Sequence, residues 1–192
     1  MKYVLRYEQL GQRYTPRPAI AHERGHACAR PCLLPRWPKH SDVRVIGLDI
    51  SENAIRNAEG CGILDHGLAI DLESRDPTPE EADLLSSVDI IVSTGCVGYV
   101  TQNTFKRLVD VMRGPRAPWV ASFVLRMFPY DSIVATLADR GLTTELYESA
   151  TFVQRRFANR EEMEATIRAV EARGIDSYGC ETDGLYHANL FI

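Results

Sequence analysis

Two aspartates lie at the ends of short apolar runs, where their carboxylates could bind a nucleoside at the edge of a sheet. Asp49 ends the run VRVIGLDI (43–50), and Asp71 lies in GLAIDL (67–72), 22 residues later. A carboxylate at the carboxyl end of a parallel strand can accept hydrogen bonds from both hydroxyls of a ribose. The second acid, with the apolar Leu72 beside it, could hold an adenine amino group and one ring face. The simpler alternatives are a helix cap for Asp49 and an ordinary turn for Asp71.

A third apolar run, VDIIVSTG (88–95), leads into small residues and a tyrosine. Small side chains at the end of a strand let a ligand approach the backbone closely, so STGCVGYV (93–100) predicts the floor of a cleft. Tyr99 would offer a ring edge and a hydroxyl to that cleft. The alternative is a tight strand–helix connection that needs glycine for its geometry alone. Cys96 lacks a histidine nearby in the sequence, which argues against a thiolate nucleophile.

The ends of two later runs carry further polar side chains. Arg126 follows APWVASFVL (117–125) and could bind an anionic group of a substrate, or form a surface salt bridge. Tyr186 and His187 lie in the last apolar run, GLYHANLFI (184–192), and are weaker choices for substrate contact or for a general base. A lone histidine among apolar residues is more often structural than catalytic.

A cluster of histidines and cysteines early in the chain has the pattern H-x3-H-x-C-x3-C. Its members, His22, His26, Cys28 and Cys32, are residue types that bind zinc. Their spacing matches no common zinc finger and contains no C-x-x-C pair. Chance within a stretch rich in His, Cys and Arg is therefore the stronger interpretation.

The elements that must position these residues follow from the hydrophobic pattern of residues 43–192. Ser51 and Asn159 are placed to cap two helices, and Glu162 would complete a capping box with Asn159. Alternating strands and helices predict an α/β fold with a mostly parallel, doubly wound sheet, whose ligands bind at the carboxyl ends of the strands. Residues 1–42, rich in proline, are predicted to be irregular. The predicted strands or extended pieces are 43–50, 67–72, 88–95, 117–125, 142–149, 151–157 and 184–192, and the predicted helices are 51–60, 77–87, 101–114, 130–141 and 159–174.

Composition narrows the classes of function. Charged residues make up 25% of the chain and the net charge is −4, so a basic nucleic-acid footprint is not favoured. The longest apolar runs are about a third of a membrane span, and the first residues lack the apolar core of a secretory signal. Five scattered cysteines favour a reduced, cytoplasmic setting. We therefore expect a cytoplasmic protein, with no nucleic acid and no membrane among its partners.

The order GLDIS, AIDLE, DIIVSTGCVGYV and PWVASFVLRMFPYD resembles that of the class I S-adenosylmethionine-dependent methyltransferases. The similarity covers about residues 43–192 and is greatest to a bacterial group described only as methyltransferase-like. It implies a three-layer α/β/α Rossmann-like fold whose last strand, 184–192, is antiparallel. It also implies S-adenosylmethionine as cofactor and a small molecule as methyl acceptor.

The resemblance implies roles for individual residues. Asp49 would bind the ribose hydroxyls, while Asp71 and Leu72 would line the adenine. The residues implied to bind the cofactor are Asp49, Ile50, Asp71, Leu72, Ser93, Thr94 and Gly95. The residues implied to contact the acceptor are Tyr99, Arg126, Tyr130 and Tyr186, and the weak candidates for catalysis are Tyr99 and His187.

One departure from the family concerns the glycine-rich loop that follows its first strand and holds the methionine part of the cofactor. Gly11 and Gly25 lack glycine partners at the right spacing, and the GCG within 59–65 follows a helix. We therefore expect residues 1–42 to be truncated or replaced relative to the family, and the exposed sheet edge to favour a homodimer. The main alternative function is a non-catalytic binding domain. An NAD-dependent dehydrogenase would need G-x-G-x-x-G, which is also missing.

Overall fold

Strands and helices alternate along the chain as the hydrophobic pattern predicts. The computed structural model describes residues 43–112 and 117–192, so the predicted irregular segment and the His/Cys cluster lie outside the described residues. The strands are β1 (Ile46–Asp49), β2 (His66–Ala69), β3 (Ile90–Thr94), β4 (Trp119–Leu125), β5 (Phe152–Arg156) and β6 (Leu185–Phe191). The helices are α1 (Glu52–Gly60), α2 (Pro79–Ser86), α3 (Gln102–Val111), α4 (Asp131–Ala138) and α5 (Arg160–Glu171), with a short 3₁₀ helix at Glu181–Asp183.

The strands form two sheets. β1 and β2 pair in parallel, and the second sheet has the order β3-β4-β6-β5. The α/β class and the antiparallel last strand are confirmed, because β6 runs antiparallel to both β4 and β5. The described strands are parallel only in part, because they form one parallel two-stranded sheet and one mixed four-stranded sheet. Within 43–112 and 117–192 no backbone hydrogen bond joins β1 to β3, and β3–β4 supplies the one parallel pair of the larger, mixed sheet.

One hydrophobic core serves both sheets. Ile46 and Ile70, from the smaller sheet and its edge, are buried in the same cluster as Ile91 and Val124 of the larger sheet, and Phe105 of α3 fills the cluster at 1% exposure. Burial of such large apolar side chains contributes most of the free energy that holds layers together. The two sheets are therefore parts of one packed unit.

A polar contact fixes which ends of the two sheets lie together. Glu73, in the connection after β2, accepts hydrogen bonds from the backbone N–H of Thr101 (2.8 Å) and from the hydroxyls of Thr101 and Thr104, both at 2.6 Å. Thr101 is the N-cap of α3, which follows β3. The carboxyl ends of β2 and β3 consequently lie on the same side of the molecule.

Two helices begin at the capping residues that the sequence predicts, Ser51 and Asn159. Ser51 accepts a hydrogen bond from the backbone N–H of Ala54 (3.3 Å), and Asn159 accepts one from the N–H of Glu162 (2.8 Å), as predicted. The predicted reciprocal bond of the capping box is displaced by one residue, because the Glu162 carboxylate accepts from the N–H of Ala158 (2.6 Å). Among the described helices, none has the length and apolarity that a membrane crossing requires.

Candidate functional site

A cavity of about 420 Å³ opens at the carboxyl ends of β3 and β4. Four of the residues that the sequence assigned to a site line it together: Thr94, Gly95, Tyr99 and Tyr186. Thr94 and Gly95 come from the end of β3, while Tyr186 comes from β6, almost a hundred residues later. Bringing them to one cavity requires β6 to lie beside β4, as the antiparallel pairing provides.

Two glycines shape the loop after β3. Gly95 has φ +57°, a left-handed conformation that favours glycine, and a side chain there would meet nothing closer than the Gln154 amide oxygen at 3.9 Å. Gly98 has φ +108°, and a Cβ at that position would lie 2.7 Å from the Phe128 ring. Glycine therefore admits the ring of Phe128 against the loop, and the neighbouring Tyr99 side chain is exposed at the cavity.

A bulge in β5 adds two polar side chains to the cavity that sequence reasoning missed. Val153 is opposite His187 and Arg155 is opposite Tyr186, so Gln154 is an extra residue in β5. Side chains normally alternate between the faces of a strand, yet Gln154 and Arg155 both line the cavity. A bulge re-aims side chains in this way. The only signal in the sequence was the polar triplet QRR in an otherwise strand-like run.

Arg155 forms the main ion pair of the cavity, with Glu162 of α5. The two guanidinium nitrogens bind the two carboxylate oxygens at 2.6 and 3.1 Å. The guanidinium carbon also lies 4.5 Å from the centre of the Tyr186 ring. Hydrogen bonding by Arg155 is the main reason that the pKa of Glu162 falls to about 2. Glu162 is thus a carboxylate at neutral pH and too weak a base to accept a proton.

The two aspartates lie on a separate rim at the ends of β1 and β2. The Asp49 carboxylate is half-buried and accepts a hydrogen bond from the N–H of Ser51 (2.8 Å), while Ile50 beside it is 77% exposed. Asp49 is paired with Ala69, and Asp71 follows two residues later. Asp71 is exposed, and hydrogen bonds from Ser74 and from the N–H of Glu73 lower its pKa.

Two residues expected at the cofactor lie in the interior instead. Leu72 is buried at 4% exposure in the main core, and its carbonyl accepts a hydrogen bond from Arg107 (2.7 Å). Ser93 is also buried, and its hydroxyl donates to that of Ser122 (3.4 Å). Neither side chain lines the cavity.

Two residues expected to contact the acceptor also have structural partners. Arg126 is buried, forms an ion pair with Glu181 (2.8 Å) and donates to the backbone carbonyl of Asp176. The Tyr130 hydroxyl donates to the hydroxyl of Ser122 (2.8 Å), and burial raises the pKa of Tyr130 to about 12. Neither residue lines the cavity, because both side chains are taken into the packed interior.

The weak catalytic candidate His187 faces another part of the molecule. Its Nδ1 lies 2.8 Å from the hydroxyl of Thr151, and burial, followed by the charge of Arg126, lowers its pKa. It does not line the cavity, and Cys96 is buried. In the part of the chain that the structure describes, no group of three or more His, Cys, Asp or Glu side chains is placed to hold a metal ion.

Scans of the chain against protein-family models, curated proteins and solved structures found no match in any of the three.

Proposed function

We propose that the protein is an S-adenosylmethionine-dependent methyltransferase that acts on a small molecule, built on a three-layer Rossmann-like α/β fold. The observation that supports this most directly is the rim of Asp49, Ile50 and Asp71, which carries an exposed apolar side chain between two acids. The Glu73 contacts set that rim on the same side of the molecule as the strand end that opens into the cavity. Nucleoside and reacting group would thus be accommodated side by side.

The residues of the rim fit the chemistry of an adenosine. The Asp49 carboxylate would accept hydrogen bonds from the ribose hydroxyls. The exposed side chain of Ile50 would cover a face of the adenine, and Asp71 would accept from its amino group. Gly95, with open space where a side chain would stand, would let the methionine part approach the backbone.

When bound, S-adenosylmethionine would supply a methyl group on a positively charged sulfur: the acceptor would bond to the methyl carbon in line with the C–S bond, and the neutral thioether, S-adenosylhomocysteine, would leave with the C–S electron pair. The chain's own contribution would be to hold the acceptor in the cavity and to exclude water. Glu162, with a pKa of about 2, cannot take a proton from the acceptor at neutral pH. The acceptor would accordingly present a nucleophile that is already deprotonated, or lose its proton to water.

Binding measurements with S-adenosylmethionine and S-adenosylhomocysteine test the proposal. By isothermal titration calorimetry we expect a dissociation constant in the micromolar to millimolar range, weakened about tenfold or more in Asp49→Ala, because about 1.4 kcal/mol of hydrogen bonding to ribose is lost. Asp49→Asn removes the charge but keeps an acceptor for the N–H of Ser51. It therefore separates the effect of losing the charge from the effect of losing the hydrogen bond to Ser51.

The matched control is Asp83→Ala on the exposed side of α2, away from the rim, which should bind like the wild type. No heat and no thermal shift with millimolar ligand would contradict the proposal and favour the non-catalytic binding domain. A shift with NADH instead would favour a dehydrogenase.

A further inference from the structure

We infer that the cavity at the ends of β3 and β4 takes an uncharged, planar ring compound with a polar substituent as its methyl acceptor. That this ligand is a methyl acceptor rests on the proposed function. The kind of ligand that the cavity binds is inferred from the contacts of its lining residues alone.

The charges that line the cavity cancel each other. Arg155 and Glu162 are its charged lining residues, and they bind each other through both carboxylate oxygens. One of those oxygens also accepts the N–H of Ala158 (2.6 Å). An anionic ligand would have to replace Glu162 as the partner of Arg155, and a cationic ligand would have to replace Arg155 as the partner of Glu162. Either exchange loses a bidentate, charge-assisted pair, so the cavity favours a neutral ligand.

The walls of the cavity are flat. The guanidinium carbon of Arg155 lies 4.5 Å from the centre of the Tyr186 ring, and the Phe128 ring packs against Gly98. Tyr99 adds a third ring that is exposed to solvent at the cavity. Aromatic rings and guanidinium planes pack best against another planar group. A ring compound would therefore gain more from these walls than a flexible chain.

Neutral hydrogen-bonding groups supply the specificity for a polar substituent. The Gln154 amide and the Thr94 hydroxyl both line the cavity, and neither carries a net charge. The Tyr186 hydroxyl is already engaged, because it accepts a hydrogen bond from the buried Thr166 (3.1 Å). At about 420 Å³, the cavity is near the small end of the range for small-molecule sites. That volume suits one or two rings and excludes a polymer.

A matched pair of probes tests the inference without S-adenosylmethionine. 4-Hydroxybenzamide and 4-hydroxybenzoate have nearly the same shape, but only the second is an anion at neutral pH. Ligand-observed NMR titration of the wild-type chain should give about tenfold tighter binding of the amide, the size expected for keeping one charge-assisted contact. The inference would be overturned if 4-hydroxybenzoate bound as tightly as 4-hydroxybenzamide, or if neither probe bound at millimolar concentration.

Glu162→Gln sharpens the test, because it frees the Arg155 charge while it keeps an acceptor for the N–H of Ala158. In this variant the benzoate should bind about tenfold tighter than it binds the wild type, while the amide is unchanged. The matched control is Glu164→Gln on the same helix, which breaks the exposed pair with Arg160 (2.6 Å) and should leave the probe preference unaltered.

Arg155→Gln provides a second variant with the opposite charge outcome, since it leaves Glu162 without its cation. It should weaken both probes, because one wall of the cavity is lost, and should weaken 4-hydroxybenzoate more than 4-hydroxybenzamide. A preference for 4-hydroxybenzoate in this variant would contradict the inference. Thermal melting of each variant establishes that it is folded. Because S-adenosylmethionine is absent from these titrations, their outcome is independent of the cofactor measurement and distinguishes a wrong acceptor class from a wrong proposed function.

Discussion

Two arginine–glutamate pairs hold the four-stranded sheet to the segments around it, and they differ in burial. Arg126, at the end of β4, binds Glu181 at 2.8 Å, and the two side chains are 8% and 1% exposed. Arg155, in β5, binds Glu162 at 2.6 Å, with side chains 54% and 27% exposed. Burial raises the pKa of Glu181 despite the opposing charge of Arg126, whereas Arg155 lowers the pKa of Glu162 to about 2.

The difference teaches that residue type and distance do not set the role of an ion pair. A buried pair loses the hydration of both charges, and the attraction between them offsets that cost only while both partners are present. A pair open to water costs little to form and little to break. Arg126–Glu181 is accordingly a structural pair, whereas the fold tolerates the loss of Arg155–Glu162 by mutation.

The largest expected effect is loss of the buried cation. Arg126→Met leaves the Glu181 carboxylate buried without its partner, and we expect a loss of about 3–5 kcal/mol in the free energy of unfolding. Urea denaturation at pH 7 measures it. The double variant Arg126→Met with Glu181→Leu removes both charges and should regain most of that loss.

The pH dependence of the single variant provides an internal control. Because the folded-state pKa of Glu181 is raised above its unfolded value near 4.5, protonation favours the folded state. The deficit of Arg126→Met relative to the double variant should shrink as the pH falls towards 4.5. A loss below about 1 kcal/mol at pH 7 would mean that this pair behaves like a surface one.

We expect an intermediate effect on the free energy of unfolding at Glu73, whose carboxylate accepts hydrogen bonds from uncharged donors. Burial by itself would raise the pKa of Glu73, but hydrogen bonds from Thr101 and Thr104 outweigh burial and lower it. We expect Glu73→Ala to lose about 1–3 kcal/mol, since three donors lose their acceptor. That contribution is present above the unfolded pKa near 4.5 and is lost as the pH falls through the folded value.

Thermal or urea unfolding measures the Glu73 effect, and Glu148→Ala, at an exposed position, is the control, with a change within about 0.5 kcal/mol. Equal stability of the two variants would mean that the contact between the connection after β2 and α3 does not help to join the sheets.

The smallest effect is expected for the exposed pair. Glu162→Gln should lower the free energy of unfolding by about 0.5–1 kcal/mol at pH 7, after allowance for solvent screening of the charges. Because the folded-state pKa of Glu162 is about 2, the wild-type advantage should be present above pH 4.5 and vanish as the pH falls to about 2. Chemical denaturation across that range checks it, with Glu164→Gln as control. A loss as large as that of Arg126→Met would remove the contrast between the two pairs.

The elements of the fold were the most predictable part of this protein. The strand and helix positions and the caps at Ser51 and Asn159 follow from hydrophobic period and from side chains that bond to backbone groups a few residues away. The division of the described strands into a parallel and a mixed sheet was not predicted, because strand pairing is a contact between distant segments that local pattern does not specify.

The candidate site was predictable only in part. Thr94, Gly95 and Tyr99 adjoin the end of a strand, where topology alone puts them at the cavity. Arg126 was expected at the same place, but a strand end has two faces, and its partner Glu181 is 55 residues away in the sequence. Arg155 reaches the cavity through a bulge, for which the polar triplet QRR was the only signal in the sequence.

By itself the sequence determined the order, type and approximate positions of the strands and helices and which acids follow strands, since those features depend on interactions over a few residues. Only the tertiary structure decided which side chains share the cavity, which arginine is buried, and which glutamate has its pKa raised or lowered. Those outcomes depend on burial and on contacts between segments far apart in the chain, where desolvation and hydrogen bonding set the balance.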